Sequence, residues 1–133
     1  MKYCADTWFL LELYKKSDKA NDIFRNILKG KDSIVIPTVS LMELIRVSIM
    51  RGEKLSKIES MLNELKATQK VQLMVLDELV AKEAAKISVS FNVPTVDSII
   101  VGSYILSEAD ILLSNDEDIK KLSKRKIVNI QSW

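Results

Sequence analysis

The sequence has no histidine among its 133 residues. That removes imidazole acid–base catalysis, Ser-His-Asp and Cys-His arrangements and His-ligated zinc in one step. The single cysteine, Cys4, excludes an internal disulfide framework and any multi-cysteine metal site. Glycine (3) and proline (2) are scarce, which sets aside collagen-like, linker-like and turn-rich all-β chains and leaves no Gly-rich phosphate loop. Long apolar runs are missing too. The longest stretch, Ile99 to Leu106, contains Gly102, Ser103 and Tyr104 and falls far short of the ~18 residues of a membrane span. The opening segment meets Asp6 before an apolar region can form, so no signal peptide is expected. The expected location is cytoplasmic, with Cys4 reduced. The net charge of +2 is too small to mark a nucleic-acid binder by itself. Chemistry in this chain must therefore run on carboxylates, hydroxyls, lysine or a metal held by oxygen.

Hydrophobic residues make up 47% and charged residues 29%, an ordinary globular balance, and the length predicts one domain over residues 1–133. Tyr3–Ala5, Ser33–Ile36, Val71–Leu76, Ile111–Leu113 and Ile127–Ile130 read as short, nearly continuous apolar strands. Between them the spacing predicts helices. One passes through Trp8, Leu11 and Tyr14. A second opens at Ser17-Asp18 and stops at Gly30. Others run from Thr38 to about Met50, from Leu55 to Leu65, from Asp77 through Ile87, from Pro94-Thr95 to about Glu108, and from Asp116 to Lys124. Strands alternating with helices, mostly singly, predict an α/β fold: a three-layer α/β/α arrangement around a mostly parallel sheet of about five strands. Tyr3, Tyr14, Phe24, Phe91, Met42, Met50, Met61 and Met74 are expected in the core.

In such sheets ligands bind beyond the carboxyl ends of the strands. Asp6 follows the first strand directly. Ser114, Asp116 and Asp118 follow the fourth. Two further acids stand on apolar helix faces. Glu43 lies on the row Val39–Glu43–Val47, and Asp97 shares a face with Ile100, Val101 and Tyr104. A carboxylate on an apolar stripe is costly unless it is paired or binds a cation. If the four acids converge, their repulsion raises some pKa values unless a divalent ion sits between them. Oxygen-only ligands favour Mg²⁺ or Mn²⁺, which can activate water for phosphodiester hydrolysis.

Four segments in this order resemble the PIN-domain nucleases. They are Ala5-Asp6-Thr7, Pro37-Thr38-Val39-Ser40-Leu41-Met42-Glu43-Leu44, Val96-Asp97-Ser98-Ile99-Ile100 and Leu113-Ser114-Asn115-Asp116-Glu117-Asp118. Together they span almost the whole chain, and a chain of this size is similar to the VapC-type toxins of toxin–antitoxin pairs. The resemblance implies a Mg²⁺- or Mn²⁺-dependent ribonuclease, usually dimeric, silenced by a small antitoxin. It implies Asp6, Glu43, Asp97 and Asp116 as the catalytic, metal-site acids, with Asp118 a fifth ligand and Thr7 and Ser114 orienting carboxylates or water. Trp8 departs from the small polar residue common in the family, Ile119 from an aromatic, and Gly102 from alanine.

Lys120, Lys121, Lys124, Arg125 and Lys126 form a basic cluster beside the fourth segment, and Arg46 lies one turn beyond Glu43. Lys120, Lys121 and Arg46 are the candidates for RNA contact, against the plainer reading of a solvated face. The Thr38–Leu65 helix pair carries surplus apolar residues. With the first two helices it is the expected surface for a symmetric homodimer and part of an antitoxin groove. Two other readings compete: a catalytically silent PIN-like module that binds RNA or protein, and a receiver-type phosphoacceptor. The second leaves Glu43 and Asp97 unexplained.

Overall fold

A computed structural model describes all 133 residues. The apolar runs form β1 (Lys2–Ala5), β2 (Ser33–Pro37), β3 (Val71–Met74), β4 (Ile111–Leu113) and β5 (Ile130–Gln131). All neighbours pair in parallel, in the order β3-β2-β1-β4-β5. The helices are α1 (Thr7–Tyr14), α2 (Asp18–Leu28), α3 (Thr38–Met50), α4 (Leu55–Ala67), α5 (Glu78–Phe91), α6 (Thr95–Leu106) and α7 (Glu117–Lys124). They come in pairs between β1 and β2, β2 and β3, and β3 and β4; only α7 stands alone, so the expectation of mostly single helices is corrected.

Side chains alternate across the sheet and feed two cores. On β1 Cys4 faces one layer and Ala5 the other; on β4 Leu112 and Leu113 divide the same way. One core gathers Phe9, Leu10, Phe24, Ile27, Leu44 and Leu65. The opposite core gathers Ile87, Ile100, Val101, Ile119 and Leu122 from α5, α6 and α7. The starts of the helices follow local chemistry. Ser17 Oγ accepts the Ala20 N–H at 3.3 Å to open α2, and Asp77 Oδ1 accepts the Val80 N–H at 2.9 Å to open α5.

Several boundaries differ from the sequence reading. The third strand stops at Met74, and Val75 and Leu76 are exposed. The last strand begins at Ile130 rather than Ile127. Lys126 takes a left-handed φ of 60°, and the Ile127 N–H donates back to the Leu122 carbonyl at 3.1 Å. These residues therefore close α7 instead of joining the sheet. A left-handed Glu108 (φ 56°) similarly ends α6 at Leu106. Met42 and Met50 are not core residues; they are 49% and 69% exposed. No single helix is long and apolar enough to cross a membrane.

Gly102 is buried where α6 crosses α5. A Cβ there would lie 3.2 Å from the Ala84 backbone nitrogen and 3.5 Å from its Cα. The side-chain-free position lets the two helices approach. Gly102→Leu is therefore expected to destabilise the fold by about 1–3 kcal/mol through overpacking, read as a lowered midpoint in thermal unfolding by circular dichroism. An unchanged midpoint would show that the helix pair tolerates a wider separation.

Candidate active site

The carboxyl edge of the sheet brings together acids from four parts of the chain. Register places Ala5 of β1 beside Leu113 of β4, so the next residues, Asp6 and Ser114, emerge side by side. The Asp6 N–H donates to the Leu113 carbonyl at 3.1 Å. Asp6 is 5% exposed, and both its oxygens are held. Oδ1 accepts the Thr7 N–H at 2.6 Å, and Oδ2 accepts the Ser114 hydroxyl at 2.6 Å. Thr7 Oγ1 in turn donates to Glu43 Oε1 at 2.6 Å. Ser40, one turn earlier on α3, donates its hydroxyl to the Ala5 carbonyl at 3.0 Å and ties α3 to the end of β1. That tie directs Glu43 inward.

Asp116 opens α7. Its Oδ1 accepts the N–H groups of Asp118 and Ile119 at 2.9 and 3.1 Å, and its own N–H donates to Ser114 Oγ at 3.1 Å. Asp97 enters from the first turn of α6. Asp6, Glu43, Asp97 and Asp116 line one cleft of about 300 Å³ with Thr7, Trp8, Leu11 and Asn115. One oxygen each from Asp97, Asp116 and Asp118 lies within 4.8 Å of the others. Two ligands of an octahedral ion at ~2.1 Å stand at most ~4.2 Å apart, so this spread is close to what Mg²⁺ or Mn²⁺ imposes. The donor set is oxygen alone and fits such an ion.

The electrostatics are unbalanced. No lysine or arginine lies within 4 Å of Asp6, Glu43, Asp97 or Asp116, so the ion-pair explanation for these acids does not hold. Asp118 alone has a cation nearby, Lys121 Nζ at 3.7 Å. Burial pushes the Asp97 carboxyl up to about 7, with the charges of Asp116, Asp6, Asp118 and Glu43 adding to the shift. A helix N-terminus normally lowers a carboxyl pKa; here burial and like charge outweigh it. Burial also raises Asp6 to about 6, against the lowering effect of its bonds from Ser114 and Thr7.

The other sequence candidates spread outward. Arg46 is exposed on α3 and forms no ion pair with Glu43. Lys120 pairs with Glu117 at 3.3 Å, and Arg125 lies over the Phe91 ring at 4.7 Å. The basic cluster is thus partly committed within its own surface. Two participants escaped the sequence reading. Asn115 lines the cleft, and Ser40 holds α3 in place; a polar residue between Ser114 and Asp116, and a serine three residues before Glu43, were the available signals.

Comparison with protein families matches residues 3–125 to the PIN domain. The chain belongs to the PIN-domain family. Among solved structures, this PIN domain is similar to VapBC2 from Rickettsia felis bound to a promoter DNA fragment, with a TM-score of 0.77 and 16% identity over 100% of this chain and 99% of that one. It is likewise similar to DNA-bound VapBC from Salmonella typhimurium (TM-score 0.69, 16% identity, 100% and 98% covered). VapBC-1 from nontypeable Haemophilus influenzae gives a TM-score of 0.66 at 16% identity, with 100% and 98% covered. At such identities the likeness concerns the fold. No curated protein matches the sequence.

The raised carboxyls set a direction for stability. Between about pH 4, where an unfolded aspartate titrates, and about pH 7 the folded chain holds more protons than the unfolded one. Metal-free stability must therefore fall as pH rises through that window. Asp97→Asn removes one of the repelling charges. In EDTA it is expected to unfold a few degrees above wild type at pH 8 and at nearly the same temperature at pH 4, by scanning calorimetry. A variant less stable than wild type at pH 8 would contradict the repulsion.

Proposed function

We propose that residues 1–133 act as one PIN-domain ribonuclease, dependent on Mg²⁺ or Mn²⁺, and that the protein is the toxin of a VapBC-type pair. The observation that carries the reading is the meeting of four carboxylates in one cleft without a basic partner. Such an arrangement opposes folding, and a divalent cation gives it a purpose.

Asp6, Glu43, Asp97 and Asp116, with Asp118 as a fifth ligand, would hold the ion; oxygens of Asp97, Asp116 and Asp118 already stand within 4.8 Å of one another. Bound there, the ion supplies a lowered pKa for water and neutralises phosphate charge. Thr7 and Ser114 fix the carboxylates of Glu43 and Asp6 by hydroxyl donation, so these acids keep their positions at the cleft. Lys120 and Lys121 stand on α7 next to the acids and, with Arg46, are assigned phosphate contacts that hold the strand without entering the chemistry.

Asp6→Asn and Asp97→Asn preserve shape and remove charge. Each is expected to lower Mn²⁺-dependent cleavage of single-stranded RNA by at least about a hundredfold while circular dichroism shows a folded chain. Wild-type cleavage by Asp97→Asn would sink the catalytic assignment of this acid, and no cleavage by the wild-type chain in Mg²⁺ or Mn²⁺ would leave the silent, binding-only reading.

The partners follow from the surface. α1 and α2 expose only Leu28 among their large apolar side chains, whereas α3 and α4 expose Met42, Ile49, Met50 and Leu55, and the β3–α5 region exposes Val75, Leu76 and Leu79. We assign the α3 side to a symmetric homodimer, with the first two helices contributing less than their sequence suggested. A second cleft, of about 520 Å³, lies between the α1–α2 pair and α4 and is lined by Tyr14, Phe24, Met61 and Leu65. It offers a seat for an antitoxin helix, in a protein assigned to the cytoplasm. Ile49→Glu at tens of micromolar is expected to sediment as a monomer while wild type sediments as a dimer; a monomeric wild type would refute the interface.

A further inference from the structure

An aromatic pair borders the acid cleft, and the chemistry described so far does not use it. Trp8 sits in the first turn of α1, two residues after Asp6, and lines the same cleft as the four acids. It is neither fully buried nor fully exposed. Trp133 comes back from beyond β5 to pack on it, ring centroids 4.7 Å apart at 53°. Trp133 is itself anchored twice. Its indole N–H donates to Glu12 Oε1 at 3.0 Å, and its ring meets the fully buried Phe9 edge-on at 6.2 Å and 83°. The indole beside the acids is therefore packed against a residue fixed to α1 and to the core.

The face of an indole gains nothing from carboxylates or phosphate, because it is the negative pole of the ring's quadrupole; only the edge and its N–H meet an anion, as Trp133 meets Glu12. The part of a polynucleotide that an aromatic face takes is an unstacked base. We propose that Trp8, steadied by Trp133, is the platform on which a base of the RNA strand stacks when the neighbouring phosphate lies at the acids. This rests on the ribonuclease reading and narrows its substrate class to single-stranded segments with an accessible base beside the scissile bond. Trp133 is a positioning residue: it holds the Trp8 ring ready and so reduces the ordering cost of binding.

The chain has two tryptophans, so Trp133→Phe leaves Trp8 as the sole indole and keeps a ring against it. In Ca²⁺, an oxygen-ligand cation used in place of Mg²⁺ to separate binding from cleavage, a short single-stranded oligoribonucleotide is expected to quench Trp8 emission. A sugar–phosphate oligomer of equal length without bases should not. Trp8→Ala in the otherwise native chain should raise the Kd for the oligoribonucleotide about tenfold; Trp8→Phe should recover most of that loss. Trp133→Ala should lower the emission anisotropy of Trp8, which a purely structural role at the surface would leave unchanged. Equal quenching by the baseless oligomer, or an unchanged Kd for Trp8→Ala, would overturn the stacking role. The two readings fail separately. RNA cleavage by wild type with no effect of Trp8→Ala removes only the platform; base-dependent quenching without cleavage by wild type removes only the ribonuclease. Failure of wild type to bind RNA at all removes both.

Discussion

Repulsion among unneutralised carboxylates at the carboxyl edge of the sheet is the constraint around which this molecule is arranged. The pocket has no lysine or arginine to offset it, so the acids are held by neutral donors. Thr7 uses its N–H on Asp6 and its hydroxyl on Glu43; Ser114 uses its hydroxyl on Asp6 and accepts the N–H of Asp116. Asp6 is the node of this network. A hydroxyl fixes a carboxylate without cancelling its charge, whereas an ammonium group would satisfy the pocket and compete with a cation. The arrangement gives up metal-free stability and keeps affinity for positive charge.

Topology explains why the acids meet. The chain runs outward from β1 to β2 and β3, then returns to β4 and β5 on the other side of β1. The switch falls between β1 and β4, where loops from adjacent strands separate and leave a crevice. Asp6 and Ser114 leave those two strands in register. The helices that follow β2 and β3 complete the wall. α3 brings Glu43, pinned through Ser40 to the end of β1, and α6 brings Asp97. Residues 91 positions apart in sequence, Asp6 and Asp97, become neighbours because each stands at the start of an element aimed at the same edge.

Much of this was legible from spacing. The strands were short apolar runs, and acids directly after a strand or on an apolar helix face were anomalies that pointed to the cleft. What was illegible depended on contacts distant in sequence. Met42 and Met50 match a core pattern, yet α3 already buries Leu44 and Ser48, and its opposite side has nothing to pack on within one chain. Ile127 looked like a strand residue, but a left-handed Lys126 folds it back on α7. Trp133 gave no signal, because its partners Trp8, Phe9 and Glu12 lie more than 120 residues away. The basic run after Asp118 read as a free patch, whereas Lys120, Lys121 and Arg125 each engage a neighbour.

Asp6 and Asp116 show why a structural role and a chemical one need not compete. Each begins a helix, and helix capping alone would justify an aspartate at either position. On Asp116 both roles fall on one carboxylate. Oδ1 accepts both cap N–H groups, and the carboxylate still contributes to the oxygen cluster with Asp97 and Asp118. The cap also fixes the torsion of the carboxylate, so its oxygens are already ordered by the helix it starts. On Asp6 both oxygens accept hydrogen bonds, from Thr7 and Ser114, and the residue lines the cleft. Capping thus orders these two acids before any cation arrives. Asparagine can still cap a helix but carries no charge, so it retains the fold while removing the negative charge, and the two roles can be separated at each position.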